Sequence, residues 1–149
     1  LIHSAVSKVF RWAVLAALFY IKILKQKGSI KMSNVKSGEI YWVKALPTVN
    51  CYGETVRKNR PVIVINNEEG LKFSGICTVI PLSTKIDKLD KTHCNILIKS
   101  SSLKPSVTLT EQILTISQSS LVTPPLDRLD TNNLILVKEA VKRQLGLCS

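Results

Sequence analysis

The chain has 149 residues, and its 21 lysines and arginines exceed its 10 aspartates and glutamates, which gives a formal net charge of +11. This length is typical of one domain with one hydrophobic core, and the 45% hydrophobic content excludes a disordered tail. The four cysteines contain no CxxC pair and there are only two histidines, which disfavours a disulfide scaffold or a zinc site. We therefore expect reduced thiols, no metal and no cofactor.

The first 31 residues differ from the rest, because they carry six basic residues and no acidic residue. Their apolar run, residues 12–21, is too short to cross a membrane, which takes about 20 residues, and no small-residue cleavage site follows it. The segment is typical of a basic amphipathic helix on an anionic membrane surface, or of an appendage without a role. Because Met32 is the only methionine, we expect the native chain to start there. We divide the sequence into an appendage, residues 1–31, and a domain, residues 32–149.

From residue 32 onward, short β-forming runs alternate with loops. The predicted strands are Glu39–Lys44, Pro61–Ile65, Gly75–Leu82, Cys94–Ile98 and Val107–Ile116. Runs of this length with one terminal helix predict a mostly β, α+β fold. We expect a small antiparallel β-barrel or curled sheet.

The end of the chain has a helical pattern. Pro124 and Pro125 predict a bend before it. Asp130 or Thr131 can cap the start of the helix, and Gly146 can end it. The apolar residues that recur at helical spacing are Leu134, Val137, Val141 and Leu145.

The connection Pro47–Arg60, predicted as a loop, is rich in side chains that suit RNA. Lysine and arginine bind phosphate, and a tyrosine ring gives a nucleobase a face for stacking. An ordinary solvated loop is the alternative, and composition alone favours it. Arg60 differs from its neighbours because it directly precedes an apolar run, so that a strand fixes its position. The polar candidates in this connection are Tyr52, Glu54, Arg57, Lys58 and Arg60.

Two further polar features accompany predicted strands. Ser83, Thr84 and Lys85 follow the strand Gly75–Leu82. Two hydroxyls and an ammonium group there can hold a phosphate, although such residues also cap turns. Alone, this cluster is a weak indication of a site.

Glu111 lies at an apolar position of the predicted strand Val107–Ile116. Alternation with period two puts its carboxylate among apolar neighbours, and puts Gln112 on the opposite face. A buried carboxylate must be paired or hydrogen-bonded. We favour a structural role, in which Glu111 accepts backbone N–H groups and fixes a loop, over a catalytic carboxylate.

Four segments occur in one order along the chain: Gly38–Val43, Arg60–Asn67, Val79–Lys85 and Ser106–Ile116. Together they resemble the MazF/PemK toxins of bacterial toxin–antitoxin modules, over about residues 37–147. The resemblance implies an SH3-like antiparallel β-barrel and a homodimer in the bacterial cytoplasm. It also implies a ribonuclease that cuts single-stranded mRNA at a short sequence without a metal. The Glu111–Gln112 pair matches a structural feature of this family, which supports its structural interpretation.

The partners that the resemblance implies are mRNA, a second copy of the chain and a cognate antitoxin. Operator DNA would be contacted through the antitoxin complex, and we do not expect a membrane partner. The family's strand-leading arginine matches Arg60, and its strand-end threonine matches Ser83 better than Thr84. A loop glutamate matches Glu54, although its spacing to Arg60 is one residue longer than in many members. The RNA-binding candidates are Tyr52, Arg57, Lys58 and Lys85.

The chemistry that this resemblance implies uses the RNA's own 2′-hydroxyl as nucleophile and leaves a 2′,3′-cyclic phosphate. Arg60 would neutralise charge on the phosphate oxygens, because its guanidinium grips two oxygens at once. Ser83 and Thr84 would hydrogen-bond the scissile phosphate, and Glu54 is the candidate base. Two other classes stay open: a CcdB-like toxin that binds DNA gyrase, and a fold relative that binds RNA without cleaving it.

Overall fold

The computed structural model describes residues 34–50, 52–88 and 94–147. The predictions on residues 1–31 and on a start at Met32 lie outside the described residues. The strands are β1 (Glu39–Val49), β2 (Thr55–Val64), β3 (Ile76–Ser83), β4 (Leu97–Ile98), β5 (Ser106–Thr108), β6 (Leu114–Ser117) and β7 (Leu121–Arg128). The helices are α1 (Glu68–Phe73) and α2 (Thr131–Gln144). Within the described ranges, no helix is long and apolar enough to span a membrane.

The seven strands form one sheet in the order β4–β5–β3–β2–β1–β7, and β6 also pairs with β3. All of these pairings are antiparallel. Strand β3 therefore has three partners: β2, β5 and β6. The prediction of a mostly antiparallel β fold with a C-terminal helix is confirmed, whereas strand β7 and helix α1 were not predicted.

Both faces of the central sheet are buried, because successive side chains of a strand point to opposite faces. On β2, Val62 and Val64 belong to one hydrophobic cluster, which Leu71 of α1 joins. Ile63 belongs to a second cluster, which Val137 of α2 joins. The sheet is therefore held between two layers of packing, and its central strands have a fixed register.

Helix α2 begins and ends where the sequence predicts. Asp130 is its N-cap, and its Oδ1 accepts a hydrogen bond of 2.7 Å from the Asn133 backbone N–H. Gly146 follows the last turn with φ at +69°, a conformation that glycine adopts without a Cβ clash. Val137 is fully buried as predicted, but Leu145 is 60% exposed and does not reach the core.

The prediction of a long loop over Pro47–Arg60 is wrong, because most of this segment forms the β1–β2 hairpin. Strand β1 continues to Val49 and β2 begins at Thr55, so that only residues 50–54 connect them. Thr48 is buried within the hairpin, and its hydroxyl donates to the Val56 carbonyl oxygen at 3.4 Å. Strand pairing thus continues the hairpin through residues 55–60 of β2, most of which are polar, beyond the apolar run that marked the strand in the sequence.

The predicted strand Val107–Ile116 is also wrong, because β5, a 3-10 turn over Thr110–Gln112 and β6 divide it. The buried Thr110 anchors this turn: its hydroxyl donates to the Cys94 carbonyl oxygen at 3.0 Å. Glu111 lies on the outside of the turn and is exposed. The buried carboxylate that strand alternation predicts at this position is therefore wrong.

Pro124 and Pro125 lie inside β7 rather than in a bend that precedes the helix. Strand β7 pairs with β1 at residues 121–122 and again at 127–128, and the pairing skips the residues between them. The prolines therefore interrupt the ladder without ending the strand. A position at the edge of the sheet tolerates them, because proline has no backbone N–H to donate.

Candidate active site

A cleft of about 600 Å³ opens beside the middle of β2 and the end of β3, and Arg60, Ser83 and Thr84 all line it. The sheet explains how residues distant in sequence meet there. Val62 of β2 pairs with Pro81 of β3, so the same register continued by two residues places Arg60 opposite Ser83. Side chains two apart on a strand share a face, so Arg60 and Ser83 both extend beyond the first hydrophobic cluster.

The cleft is positively charged. No acidic side chain belongs to its lining among the residues that the structure describes. Such a surface attracts a polyanion, because each phosphate can replace its counterions with a fixed lysine or arginine. The basic residues that line it are Lys58, Arg60, Lys85 and Lys104.

The guanidinium of Arg60 is only partly solvated. Its Nε atom is buried and has no hydrogen-bond partner within the described residues. Burial lowers the pKa of Arg60, but an arginine guanidinium remains charged near neutral pH. An unpaired buried N–H is unfavourable unless something accepts from it. The guanidinium thus has unused donor capacity next to an open cleft.

Ser83 is nearly buried at the end of β3. The backbone there is fixed by its pairing with Val107 of β5. The Ser83 Oγ accepts a hydrogen bond of 3.2 Å from the Lys85 backbone N–H, and its own hydrogen stays available for a ligand. Thr84 has already left the strand and is exposed. Of these two hydroxyls, that of Ser83 is the one held on a paired strand, and its match to the family's strand-end position stays a prediction.

The remaining sequence candidates of the hairpin do not line the cleft. Tyr52 is 86% exposed, and Glu54 and Arg57 are also exposed. Tyr52 and Glu54 belong to the tip of the β1–β2 hairpin, residues 50–54. Asn50 organises the tip, because its Oδ1 accepts from the backbone N–H groups of Tyr52 and Glu54, both at 2.9 Å. Its Nδ2 donates to Glu54 Oε2 at 2.8 Å. Since Asn50 itself lines the cleft, Glu54 is one hydrogen bond removed from the cleft wall.

Several cleft residues were not predicted: Trp42, Asn59, Leu103 and Lys104. Trp42 pairs with Pro61 across the hairpin, so it lies beside Arg60 in space. A predicted β1–β2 hairpin would have placed Trp42 near Arg60, but this segment was predicted as a loop. Lys104 lies on the connection between β4 and β5. Because it is far from Arg60 in sequence, no local pattern predicts that the two residues line one cleft.

Glu111 and Gln112 lie away from Arg60, in a second cleft of about 570 Å³ at the end of β1. Gln112 Nε2 donates to the Val49 carbonyl oxygen at 3.2 Å and so ties the 3-10 turn to β1. The structural role of Gln112 stays a prediction, which this contact supports. The described residues include no group of three or more histidine, cysteine, aspartate or glutamate side chains that could hold a metal ion.

Comparisons with known proteins agree with this architecture. Endoribonuclease EndoA of Bacillus subtilis is 35% identical over 115 residues, which cover 76% of this chain and 96% of EndoA. An endoribonuclease in complex with its cognate antitoxin, from a mycobacterial species, has a similar fold, with a TM-score of 0.60 at 15% identity. That match covers 77% of this chain and 98% of the mycobacterial chain.

The Mycobacterium tuberculosis toxin MazF-mt6 is similar at a TM-score of 0.58 and 18% identity, over 74% of this chain and 99% of the toxin. Identities this low support the fold alone. Residues 36–145 match the family described as PemK-like, MazF-like toxins of type II toxin–antitoxin systems. The chain therefore belongs to the PemK/MazF family of toxins.

Proposed function

We propose that this chain is an endoribonuclease that cuts single-stranded mRNA at a short sequence without a metal ion. The observation that supports it most strongly is that Arg60 and Ser83 line one basic cleft, whose described lining residues include no acidic side chain. The identity to EndoA supports the same reaction, because it extends over most of both chains. The Nε atom of Arg60 is buried without a hydrogen-bond partner in the described residues, which leaves a donor available for a phosphate beside the Ser83 hydroxyl.

The reaction follows from the chemistry of RNA. The 2′-oxygen forms a bond to the adjacent phosphorus, and the bond from phosphorus to the 5′-oxygen breaks. The products are a 2′,3′-cyclic phosphate and a 5′-hydroxyl. Negative charge grows on the non-bridging oxygens as the 2′-oxygen attacks. Arg60 would bind these oxygens, and Ser83 would donate a further hydrogen bond to the same phosphate.

Two protons must also move: the 2′-hydroxyl loses one and the 5′-oxygen gains one. Arginine is a poor proton donor near neutral pH, so charge stabilisation is the primary role of Arg60. Glu54 is the proposed base. Because it is exposed at the hairpin tip and held by Asn50, this role requires that the bound RNA reach from the cleft to the tip.

The other candidates would hold the RNA on either side of the reacting phosphate. Lys58, Thr84 and Lys85 line the cleft and would bind phosphate oxygens. Tyr52 and Arg57 are exposed outside it and would contact flanking nucleotides, Tyr52 by stacking. These roles are compatible with the general preference of single-stranded RNA for basic grooves with aromatic platforms.

Membership in this toxin family also suggests partners. We infer that the chain acts in the bacterial cytoplasm, forms a homodimer and is silenced by a cognate antitoxin. The mycobacterial relative with the same fold was solved with its antitoxin. Contact with operator DNA through an antitoxin complex stays a prediction.

The proposed function is tested with the purified chain and a defined single-stranded RNA, in the presence of EDTA. We expect fragments that end in 2′,3′-cyclic phosphate. The same oligonucleotide with a 2′-deoxy sugar at the cleaved position should bind but stay intact, because the nucleophile is missing. Uncut RNA together with inhibited gyrase supercoiling would support the CcdB-like alternative. Retarded but uncut RNA would support a binding protein without nuclease activity.

A further inference from the structure

Strand β1 contains a bulge directly beside Arg60. Val43 of β1 pairs with Arg60 of β2, but the next pair is Leu46 with Lys58. Two residues of β1 therefore oppose Asn59 alone. A bulge of this kind bends its strand and changes where neighbouring side chains point, and bulges are frequent next to active sites.

Ala45, one of the two bulged residues, has φ at +51°, which is uncommon for a residue that has a Cβ. Its backbone N–H donates to Asn59 Oδ1 at 2.9 Å. This hydrogen bond compensates for the ladder partner that the bulge removes, and it spans the two strands at the cleft. The unfavourable backbone conformation persists because its surroundings hold it.

The bulge matters for Arg60 because the Arg60 Nε has no partner in the described part of the protein. The direction of the guanidinium must then come from the backbone of β2 and its register with β1. A slip of one residue would turn Arg60 to the opposite face of the sheet. Asn59 precedes Arg60 in the chain, and its side chain holds the bulge in position through the hydrogen bond from Ala45.

We propose that Asn59 is a positioning residue for Arg60: by accepting the Ala45 N–H, it fixes the β1 bulge and so directs the guanidinium into the cleft. This inference rests on the proposed nuclease function. It assigns Asn59 no contact with the reacting atoms, although its side chain stands at the cleft wall.

Two substitutions separate positioning from RNA binding. Asn59→Ala removes the acceptor, and we expect kcat to fall about 10-fold to 100-fold, the loss that follows a misplacement of about 1 Å. KM should stay within about twofold, because the charges that bind RNA are unchanged. Asn59→Asp keeps an acceptor oxygen, so kcat should stay within about threefold, whereas KM should rise because a negative charge enters the cleft.

Asn66 provides a matched control. Its Oδ1 accepts from the Thr78 backbone N–H at 2.5 Å, which is the same kind of bond between neighbouring segments, but it lies outside the cleft lining. Asn66→Ala should lower the melting temperature and leave kcat unchanged below that temperature. Equal kcat losses in both alanine variants, or a loss in Asn59→Ala seen only in KM, would overturn the inference.

The test also covers a variant that fails to fold. Glycine adopts a positive φ readily, so Ala45→Gly in the Asn59→Ala background should restore folding. Because glycine does not replace the hydrogen bond that holds the bulge in one position, kcat should stay low. Recovery of full kcat in this double variant would contradict the positioning role. A wild-type chain that cuts no RNA would instead contradict the proposed function itself, so the two failures are distinguishable.

Discussion

The cleft and the tip of the β1–β2 hairpin hold their polar side chains in different ways. In the cleft, Arg60 lies on β2 where it pairs with β1, and Ser83 lies on β3 where it pairs with β5. At the tip, Tyr52 and Glu54 are exposed, and they are held by hydrogen bonds to the side chain and backbone of Asn50. Fixed geometry is thus available in the cleft, where charge must be stabilised within tenths of an ångström, and the tip is suited to adaptable contacts.

The sharpest test of the cleft is Arg60→Lys beside Arg60→Ala. We expect both variants to lose about 100-fold to 1000-fold in kcat, because lysine keeps the charge but cannot donate two parallel hydrogen bonds. Single-turnover cleavage of a defined RNA measures the loss, and circular dichroism checks folding. A lysine variant with nearly full activity would mean that charge alone is sufficient, which would weaken the role of strand geometry.

Glu54 tests whether the hairpin tip takes part in the chemistry or only in RNA binding. If Glu54 is the base, Glu54→Gln should lower kcat about 100-fold, the low end of general-base catalysis. An unchanged kcat with a raised KM would place the tip in RNA binding only, and chemistry would then be confined to the cleft. Asn50→Ala, which removes the contacts that hold the tip, should follow the same pattern with a smaller effect.

The two candidate hydroxyls of the cleft, those of Ser83 and Thr84, should differ in their effect on kcat. Ser83→Ala should lower kcat about 10-fold to 100-fold, because it removes a donor fixed by the β3–β5 pairing. Thr84→Ala should change kcat by less than about threefold, since Thr84 has left the strand and is exposed. The reverse order would show that the exposed hydroxyl, and not the strand-end one, contacts the phosphate.

The smallest expected effect concerns the far wall of the cleft. Lys104→Ala should raise KM several-fold with kcat preserved, and should reduce the slope of log(kcat/KM) against log salt concentration by about 0.7, the value for one phosphate contact with a single strand. Lys99 lies on the same β4–β5 connection but outside the cleft lining. Lys99→Ala is therefore the matched control, and equal slopes in the two variants would exclude a specific contact at Lys104.

Much of the fold could be predicted because its central elements have strong local signals. The apolar run after Arg60 marks the buried half of β2, and the Asp130 cap and Gly146 end mark α2. The family resemblance predicts that Arg60 and Ser83 act on one phosphate, and both residues line the same cleft. What local patterns do not contain is register, and so Trp42 and Asn59 were not expected at the cleft.

The errors have physical causes. The segment around Glu111 alternates like a strand, but Thr110 finds buried acceptors in a distant loop, and this tertiary anchor turns the chain outward. Strand β7 contains Pro124 and Pro125, which local rules treat as a break, yet an edge position accepts them. In each case a contact far away in sequence decides the local conformation.

The three-way pairing of β3 has a consequence for how activity is lost. The strand that carries Ser83 is joined to β2, β5 and β6, so opening any of them disturbs the same backbone. We therefore expect that heat or denaturant produces no partly unfolded state that still cleaves RNA. The loss of kcat should coincide with global unfolding. The hairpin tip, whose hydrogen bonds are local, can open at a lower temperature and change only the affinity for RNA.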